Sequence, residues 1–408
     1  MTRQPTRRQF FELAAGGVGL ALASSAAGES IGRAEAREPA QAESGGFNLL
    51  TDPRYQIGAK SRLQQFIRRG SDATEAEAIF RRLPDLEPQR WVTEWTRLAE
   101  PWEEKAPKLE KQGDTQGTMK AYQQASVYYS IAKFPVLNHP AKQAAYRKCT
   151  EMYLKAARYF DPPVERVAIP FEGKEIIGYL RKPKGLSKPP VLIATGGIDV
   201  YNEDRDTTDF LNVGLATFSM DIPGAGQCPL WFTPGSERLY TAAIDYLLTR
   251  ADLDGQRMGI MGRSYGGHWG AKMAFVENKR LRAGVDWGGP AHYAFQEPWL
   301  RGLLNDKLYL WPVTDSMIYT HHVKDFDELL TQAPSLSLLA QGWLDKPSAM
   351  LLNVNGIKDP WITIEDSYLL METGEPKCMR LYPNGGHMGG DPGSGKMIAN
   401  WLKFNLSA

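Results

Sequence analysis

Three residue types in a fixed order, Ser264, Asp359 and His387, carry the strongest chemical signal in the chain. Met258-Gly-Ile-Met-Gly-Arg-Ser-Tyr-Gly-Gly267 begins as a short apolar run, enters Gly262-Arg-Ser-Tyr-Gly266 and leaves as a helical pattern. A Gly-x-Ser-x-Gly turn between a strand and a helix holds a serine on a strained corner, with glycines where side chains would strike neighbouring backbone. A serine hydroxyl is a weak nucleophile near neutral pH, so it needs a base, and the base needs an acid to orient it. Of the histidines that follow, His387 stands in Asn384-Gly-Gly-His-Met-Gly-Gly390, a glycine-rich loop after the last apolar run. His268 falls in the helix after the serine, and His292, His321 and His322 fall in a long intervening segment, where structural roles are the plainer reading. For the acid, Asp359 lies in Asn355-Gly-Ile-Lys-Asp-Pro-Trp361, a loop at the end of an apolar run. Glu365 and Asp366 follow on a helix, where a solvated face accounts for them.

A serine attacking a carbonyl also needs donors for the oxyanion. The amide of Tyr265 is one candidate. Thr195-Gly-Gly-Ile-Asp199 follows another apolar run, and the amide of Gly197 or Ile198 is the second. The glycine-rich Asp221-Ile-Pro-Gly-Ala-Gly226 is expected to shape the site rather than to react. This chemistry requires no metal and no organic cofactor. The three cysteines, Cys149, Cys228 and Cys378, form no CxxC or Cys/His cluster, so they supply no zinc site and read as small buried apolar side chains. Their odd number leaves at least one thiol unpaired in a monomer, and a homodimer stays open.

The elements that must position these residues follow from hydrophobic periodicity. From Asp161-Pro-Pro163 onward, a hairpin (164–171 and 175–182) precedes short apolar runs at 190–195, 215–220, 258–261, 283–287, 349–354 and 378–381. Helical patterns separate them, as at 236–250 and 265–276, which predicts a mostly parallel sheet covered by helices. The segment 290–347 is too long for a bare loop, so it is expected to carry helices. Residues 47–161 read as helical, with Trp91, Trp95, Trp102, Tyr128, Tyr129 and Phe134 supplying a core and, for a few of them, a substrate-facing wall. The division is therefore a helical cap over 47–161 and a catalytic domain over 162–408 with an insertion at 290–347.

The N-terminus has another purpose. Thr6-Arg7-Arg8-Gln9-Phe10-Phe11 precedes an apolar, Gly/Ala-rich run and then small residues, the pattern of a twin-arginine export signal over 1–28. An Ala/Glu/Ser/Gly-rich linker over 29–46 follows. The expectation is passage through the twin-arginine export machinery into the periplasm or beyond, without stable membrane insertion after processing, because the apolar run is short for a bilayer. Lysine and arginine number 48 against 47 aspartates and glutamates, with no basic stripe, so nothing calls for nucleic acid. That balance leaves room for an anionic small-molecule substrate held by a single arginine.

Gly196-Gly-Ile-Asp199, Gly262-Arg-Ser-Tyr-Gly-Gly267, Asp286-Trp-Gly-Gly289 and the helical Tyr128-Tyr-Ser-Ile-Ala-Lys-Phe134 occur here in combination. From about Asn48 to the C-terminus the chain resembles a branch of the α/β hydrolases, the 2,6-dihydropseudooxynicotine hydrolase and FrsA-like esterase group, with fungal polyketide-shortening hydrolases. The resemblance implies an α/β-hydrolase fold with an N-terminal helical cap, with the family's serine, acid and histidine falling on Ser264, Asp359 and His387. It also implies hydrolysis, through an acyl-enzyme, of an ester of a medium-sized and partly aromatic substrate. Some members of the group hydrolyse a carbon–carbon bond next to a ketone, which makes a ketone or β-diketone the alternative. Those members resemble one another in an extra acidic residue beyond the Trp-Gly-Gly segment, for which Glu297 is the candidate, with Asp199 a second auxiliary. A non-catalytic binding protein on the same fold is the remaining alternative.

Overall fold

The computed structural model describes residues 54–407, so the expected export signal (1–28) and linker (29–46) lie outside the described residues. Helices α1 (Arg54–Arg68), α2 (Ala73–Arg82), α3 (Pro88–Lys111), α4 (Thr115–Ala132) and α5 (Pro140–Ala157) come first. Their starts are written in the sequence. Asp72 accepts the Glu75 amide at 2.9 Å, Asp114 accepts the Gly117 amide at 2.8 Å, and Pro88 and Pro140 open α3 and α5, where a missing N–H costs nothing.

The apolar runs then become strands β1 (Glu165–Phe171), β2 (Lys174–Arg181), β3 (Pro190–Thr195), β4 (Ala216–Met220), β5 (Asp254–Arg263), β6 (Leu281–Trp287), β7 (Met350–Gly356) and β8 (Cys378–Tyr382). Between them run α6 (Thr208–Asn212), α7 (Arg238–Thr249) and α8 (Gly267–Val276), then α9 (Glu297–Leu303), α10 (Val313–His321) and α11 (Phe326–Gln332) inside the long insertion, and α12 (Ile364–Glu372) and α13 (Ser394–Ser407). The β1–β2 hairpin turns through Glu172 and Gly173 alone, both at positive φ (48° and 75°), the geometry whose twist suits a two-residue connection.

One sheet results, ordered β1-β2-β4-β3-β5-β6-β7-β8, with β1, β2 and β4 paired antiparallel and the other pairs parallel. From β3 the chain moves one way to β4, then returns to the other side of β3 for β5. Loops leaving the ends of β3 and β5 therefore diverge and open a crevice. All six residues of β3 are buried, because both sheet faces are covered. Leu192 and Ala194 pack with Met261 under α13, while Val191 and Ile193 join the larger cluster that contains Ile244 of α7 and Trp269 of α8. Cys378 departs from the buried reading of the cysteines: it starts edge strand β8 and is exposed.

The helical region and the sheet share one hydrophobic cluster and one structural unit, so α1–α5 are packed on the sheet rather than tethered beside it. Phe66 stands with its ring centroid 6.1 Å from Phe80, 5.6 Å from Trp95 and 5.4 Å from Phe134, and Trp91 lies 4.6 Å from Trp311 of the insertion. Polar contacts lock the seam. Buried Asp204, after β3, pairs with Arg69 and with Lys133 Nζ at 3.1 Å. Burial opposes ionisation of that carboxyl, but the two adjacent cations outweigh it and hold its pKa well below the ordinary range. Among the described residues no helix is long and apolar enough to cross a membrane.

Candidate active site

Ser264 directly follows β5 and sits at φ 53°, in the left-handed region that a non-glycine residue enters only when its surroundings force it. The surroundings do. A Cβ on Gly262 would lie 1.8 Å from the carbonyl oxygen of Gly266, and one on Gly266 would lie 2.0 Å from that of Gly196. The corner therefore closes only with glycine at both positions.

Asp359 follows β7 and His387 follows β8, so both reach the crevice from the same edge of the sheet. His387 Nε2 lies 2.7 Å from Ser264 Oγ, and its Nδ1 lies 2.7 Å from Asp359 Oδ2. Asp359 Oδ1 accepts the amides of Trp361 at 2.9 Å and Ile362 at 3.1 Å. Burial favours the neutral acid, but the imidazole's charge and hydrogen bond, with those two amides, outweigh burial and lower the Asp359 pKa. With the acid ionised, Nδ1–H donates to it and Nε2 is left to accept from the serine. The histidine loop is held from outside: the Met388 amide donates to Asn355 Oδ1 at 3.0 Å, and the Trp287 indole donates to the Met388 carbonyl at 2.8 Å.

The glycine turn after β3 closes the other side. A Cβ on Gly197 would fall 2.9 Å from the Ser264 Cβ and 3.1 Å from its Oγ, so only bare backbone fits against the nucleophile. Among the described residues the main-chain N–H groups of Gly197 and Ile198 donate to nothing. Asp199 closes the turn, with its carboxylate 3.2 Å from Arg62 of α1 and its carbonyl accepting from buried Lys133 at 2.9 Å. A cavity of about 310 Å³ lies over Ser264 and His387, walled by this turn, Arg62, Arg68, Arg263, Tyr309 and Trp361. A narrower crevice of about 40 Å³ continues from Ser264 between Leu303, Val313, Met317 and Ile362.

The remaining expected residues go elsewhere. Glu297 is exposed on α9, 2.7 Å from Arg301 one turn along, and does not reach the cavity. Asp366 is fully buried rather than solvated: it accepts the amides of His292 at 2.7 Å and Tyr293 at 2.6 Å, so it pins the start of the insertion, and burial pushes its pKa up to about 6. His268 and His321 are buried and held neutral, pushed down to about 3 and about 4, first by burial. His321 Nε2 lies 2.6 Å from the Tyr265 hydroxyl. The Asp221–Gly226 loop meets the elbow through Ile222, while its glycines line a different surface cavity. None of the six aromatics expected from the helical region lines the catalytic cavity; Tyr309 and Trp361 do. Arg62 was missed because nothing in the period of α1 separates it from other polar positions. Arg263 was visible inside the serine motif, but its surroundings were not.

The FrsA-like esterase model matches residues 65–385. The chain belongs to the FrsA-like esterase family. It is 24% identical over 388 residues to esterase FrsA of Photobacterium profundum, spanning 90% of this chain and 89% of that one. It is 30% identical over 203 residues to 2,6-dihydropseudooxynicotine hydrolase of Paenarthrobacter nicotinovorans, spanning 49% of this chain and 55% of that one. Among solved structures, 2,6-dihydroxy-pseudo-oxynicotine hydrolase superposes with a TM-score of 0.71 at 23% identity, over 85% of this chain and 95% of that one. The fold is accordingly that of an α/β hydrolase, with the helical region at its N-terminus, and family membership makes the chain a hydrolase.

Proposed function

We propose that this FrsA-like hydrolase is a serine esterase working through an acyl-enzyme. The observation that carries the reading is the unbroken relay from Asp359 through His387 to Ser264, with both links at 2.7 Å. His387 takes the hydroxyl proton as Ser264 Oγ attacks the ester carbonyl. The tetrahedral oxyanion is met by the amides of Tyr265 and of the Gly197–Ile198 turn, which need no reorganisation to receive it. The imidazolium, steadied by Asp359, gives its proton to the leaving alcohol. Water then enters and attacks the acyl carbon as His387 takes its proton, and the imidazolium returns that proton to Ser264 Oγ as the acyl bond breaks and the acid leaves.

The wide cavity and the narrow apolar crevice meet at Ser264, which suits a medium-sized ester with one small apolar arm, flanked by the rings of Tyr309 and Trp361. Glu297 is exposed and paired with Arg301, and Asp199, which does line the cavity, is paired with Arg62, so neither is free to act as an extra acid, which favours ester over carbon–carbon cleavage. A fluorophosphonate probe should label Ser264 of the wild type and not the Ser264→Ala protein. Purified enzyme should turn over aryl and alkyl esters faster than matched β-diketones. Preferential cleavage of the diketones would replace the esterase reading with the alternative.

We also propose export by the twin-arginine route, on the strength of Arg7-Arg8 before Phe10-Phe11 and the apolar run. Replacing both arginines with lysine should retain the protein in the cytoplasm of an expressing bacterium; unchanged periplasmic recovery would count against it.

A further inference from the structure

Two cations face the catalytic cavity without a counter-ion. Arg263, the residue before the nucleophile, and Arg68, the last residue of α1, both line the cavity over Ser264 and a neighbouring one of about 570 Å³. The other arginines of this region are committed. Arg62 pairs with Asp199, Arg69 with Asp204, and Arg205 with Asp221 at 3.5 Å, besides donating to Asn202 at 2.6 Å and Met220 at 2.9 Å. Among the described residues Arg263 and Arg68 make no ion pair and no hydrogen bond. Arg263 is nonetheless held in place. Its guanidinium carbon lies 4.6 Å from the centre of the Trp287 ring, and the same indole fixes the Met388 carbonyl beside His387.

The carboxylates nearby do not fill the gap. Asp199 is taken by Arg62, Asp206 caps the Thr208 amide at 2.9 Å and Asp391 accepts from Gly393 at 2.6 Å. Asp206, Asp209 and Asp391 stand in the wall of the larger cavity, but none pairs with Arg263. A partly buried guanidinium with no acceptor is costly to keep, since it has lost water and gained no charge in return. Burial first, and Arg205 second, lower its pKa against the opposing pull of Asp206. A bound anion would reverse that imbalance.

We propose that the substrate bears a carboxylate, which the fork of Arg263 grips in the cavity with Arg68 over it, while the scissile ester carbonyl sits at Ser264. This rests on the serine-esterase reading above. One partly buried cation balances one charge, and a planar guanidinium matches a planar carboxylate through two parallel bonds. The substrate class of this chain is thus a half-ester of a dicarboxylic acid or a comparable ester acid, rather than a neutral lipid ester.

The test compares the para-nitrophenyl half-ester of glutaric acid with its neutral amide counterpart and with a phosphate-bearing analogue of equal length, on the full chain. The wild type should show a kcat/KM about tenfold to a hundredfold higher for the carboxylate than for the amide, the range of a charge-assisted hydrogen-bonded pair. Arg263→Gln should bring that ratio close to one, chiefly through KM, Arg263→Lys should restore part of it, and Arg68→Gln should reduce it a fewfold. Fluorophosphonate labelling of Ser264 is followed throughout. A labelled wild type that treats carboxylate and amide alike overturns this proposal and leaves the esterase reading standing; an unlabelled wild type overturns both. Faster turnover of the phosphate analogue overturns the carboxylate assignment. If Arg263→Gln does not fold, the wild-type ratio and the Arg68→Gln protein decide the matter.

Discussion

Asp286 gives a prediction whose size can be worked from its surroundings. It lies on β6 beneath the first turn of α8, fully buried, where a Cβ on Gly267 would come within 2.2 Å of its Oδ1. Its carboxyl accepts the Gly289 amide at 2.7 Å and the Asn353 side-chain amide at 3.0 Å. Burial raises its pKa from 3.8 to about 7, with the charge of Asp366 adding and the two hydrogen bonds opposing. In the unfolded chain the group loses its proton near 3.8, in the folded chain near 7. Between those values the unfolded state binds fewer protons, so stability falls as pH rises through that window and levels off above it. A gap of about three units corresponds to roughly 4 kcal/mol at full effect. Asp286→Asn removes the titration. Its oxygen can keep the Gly289 bond, and its NH₂ group can donate to Asn353 Oδ1 once that amide turns over, an oxygen that has no partner at present. Urea unfolding followed by circular dichroism at about pH 5 and about pH 8 should show the variant gaining on the wild type by roughly 4 kcal/mol at the higher pH, and by less than half of that at the lower. Asp366 titrates in both proteins, so the difference isolates Asp286. Parallel stability profiles for the two proteins would refute a buried, proton-holding carboxyl behind the elbow.

Three further outcomes follow from the same geometry. Asp359→Asn should keep the fold but lower kcat by about 10³–10⁴, because the amide favours the wrong imidazole tautomer; kcat on a para-nitrophenyl ester measures it. Gly262→Ala forces a Cβ to 1.8 Å from the Gly266 carbonyl, so its activity should drop by about 100-fold or more together with its thermal midpoint. Arg62→Ala strands the Asp199 carboxylate under α1, which should cost about 3 kcal/mol in urea unfolding. It should also slow turnover, since Asp199 ends the oxyanion turn, and expose α1 to limited proteolysis.

What could be read from the sequence was what local pattern encodes. The strands at 190–195 and 378–381 are bounded runs with a change of periodicity at each end, and the structure places β3 and β8 within one residue of them. Ser264, Asp359 and His387 could be named because each follows an apolar run in a loop, and a parallel sheet collects such loops at one edge. Glu297 has no such anchor: only the family resemblance points to it, and helix geometry turns it to Arg301 instead. Asp366 looked like one polar position on an amphipathic helix, whereas its partners are backbone amides 72 to 74 positions upstream. The same holds for Lys133 and Arg62, whose meaning comes from Asp199, 66 and 137 positions away. Tertiary pairing of this kind leaves no periodic trace.

In the proposed mechanism Ser264 becomes acylated with His387 as its base and Asp359 behind it. Rapid acid quenching of the enzyme with para-nitrophenyl acetate, digestion and mass spectrometry of the peptide spanning Gly262–Gly267 reads this directly. The wild type should carry an acetyl group on Ser264, formed with a burst of nitrophenol, and His387→Ala should lack it. Turnover with an unmodified serine, or an acetyl group borne by another residue, would contradict it.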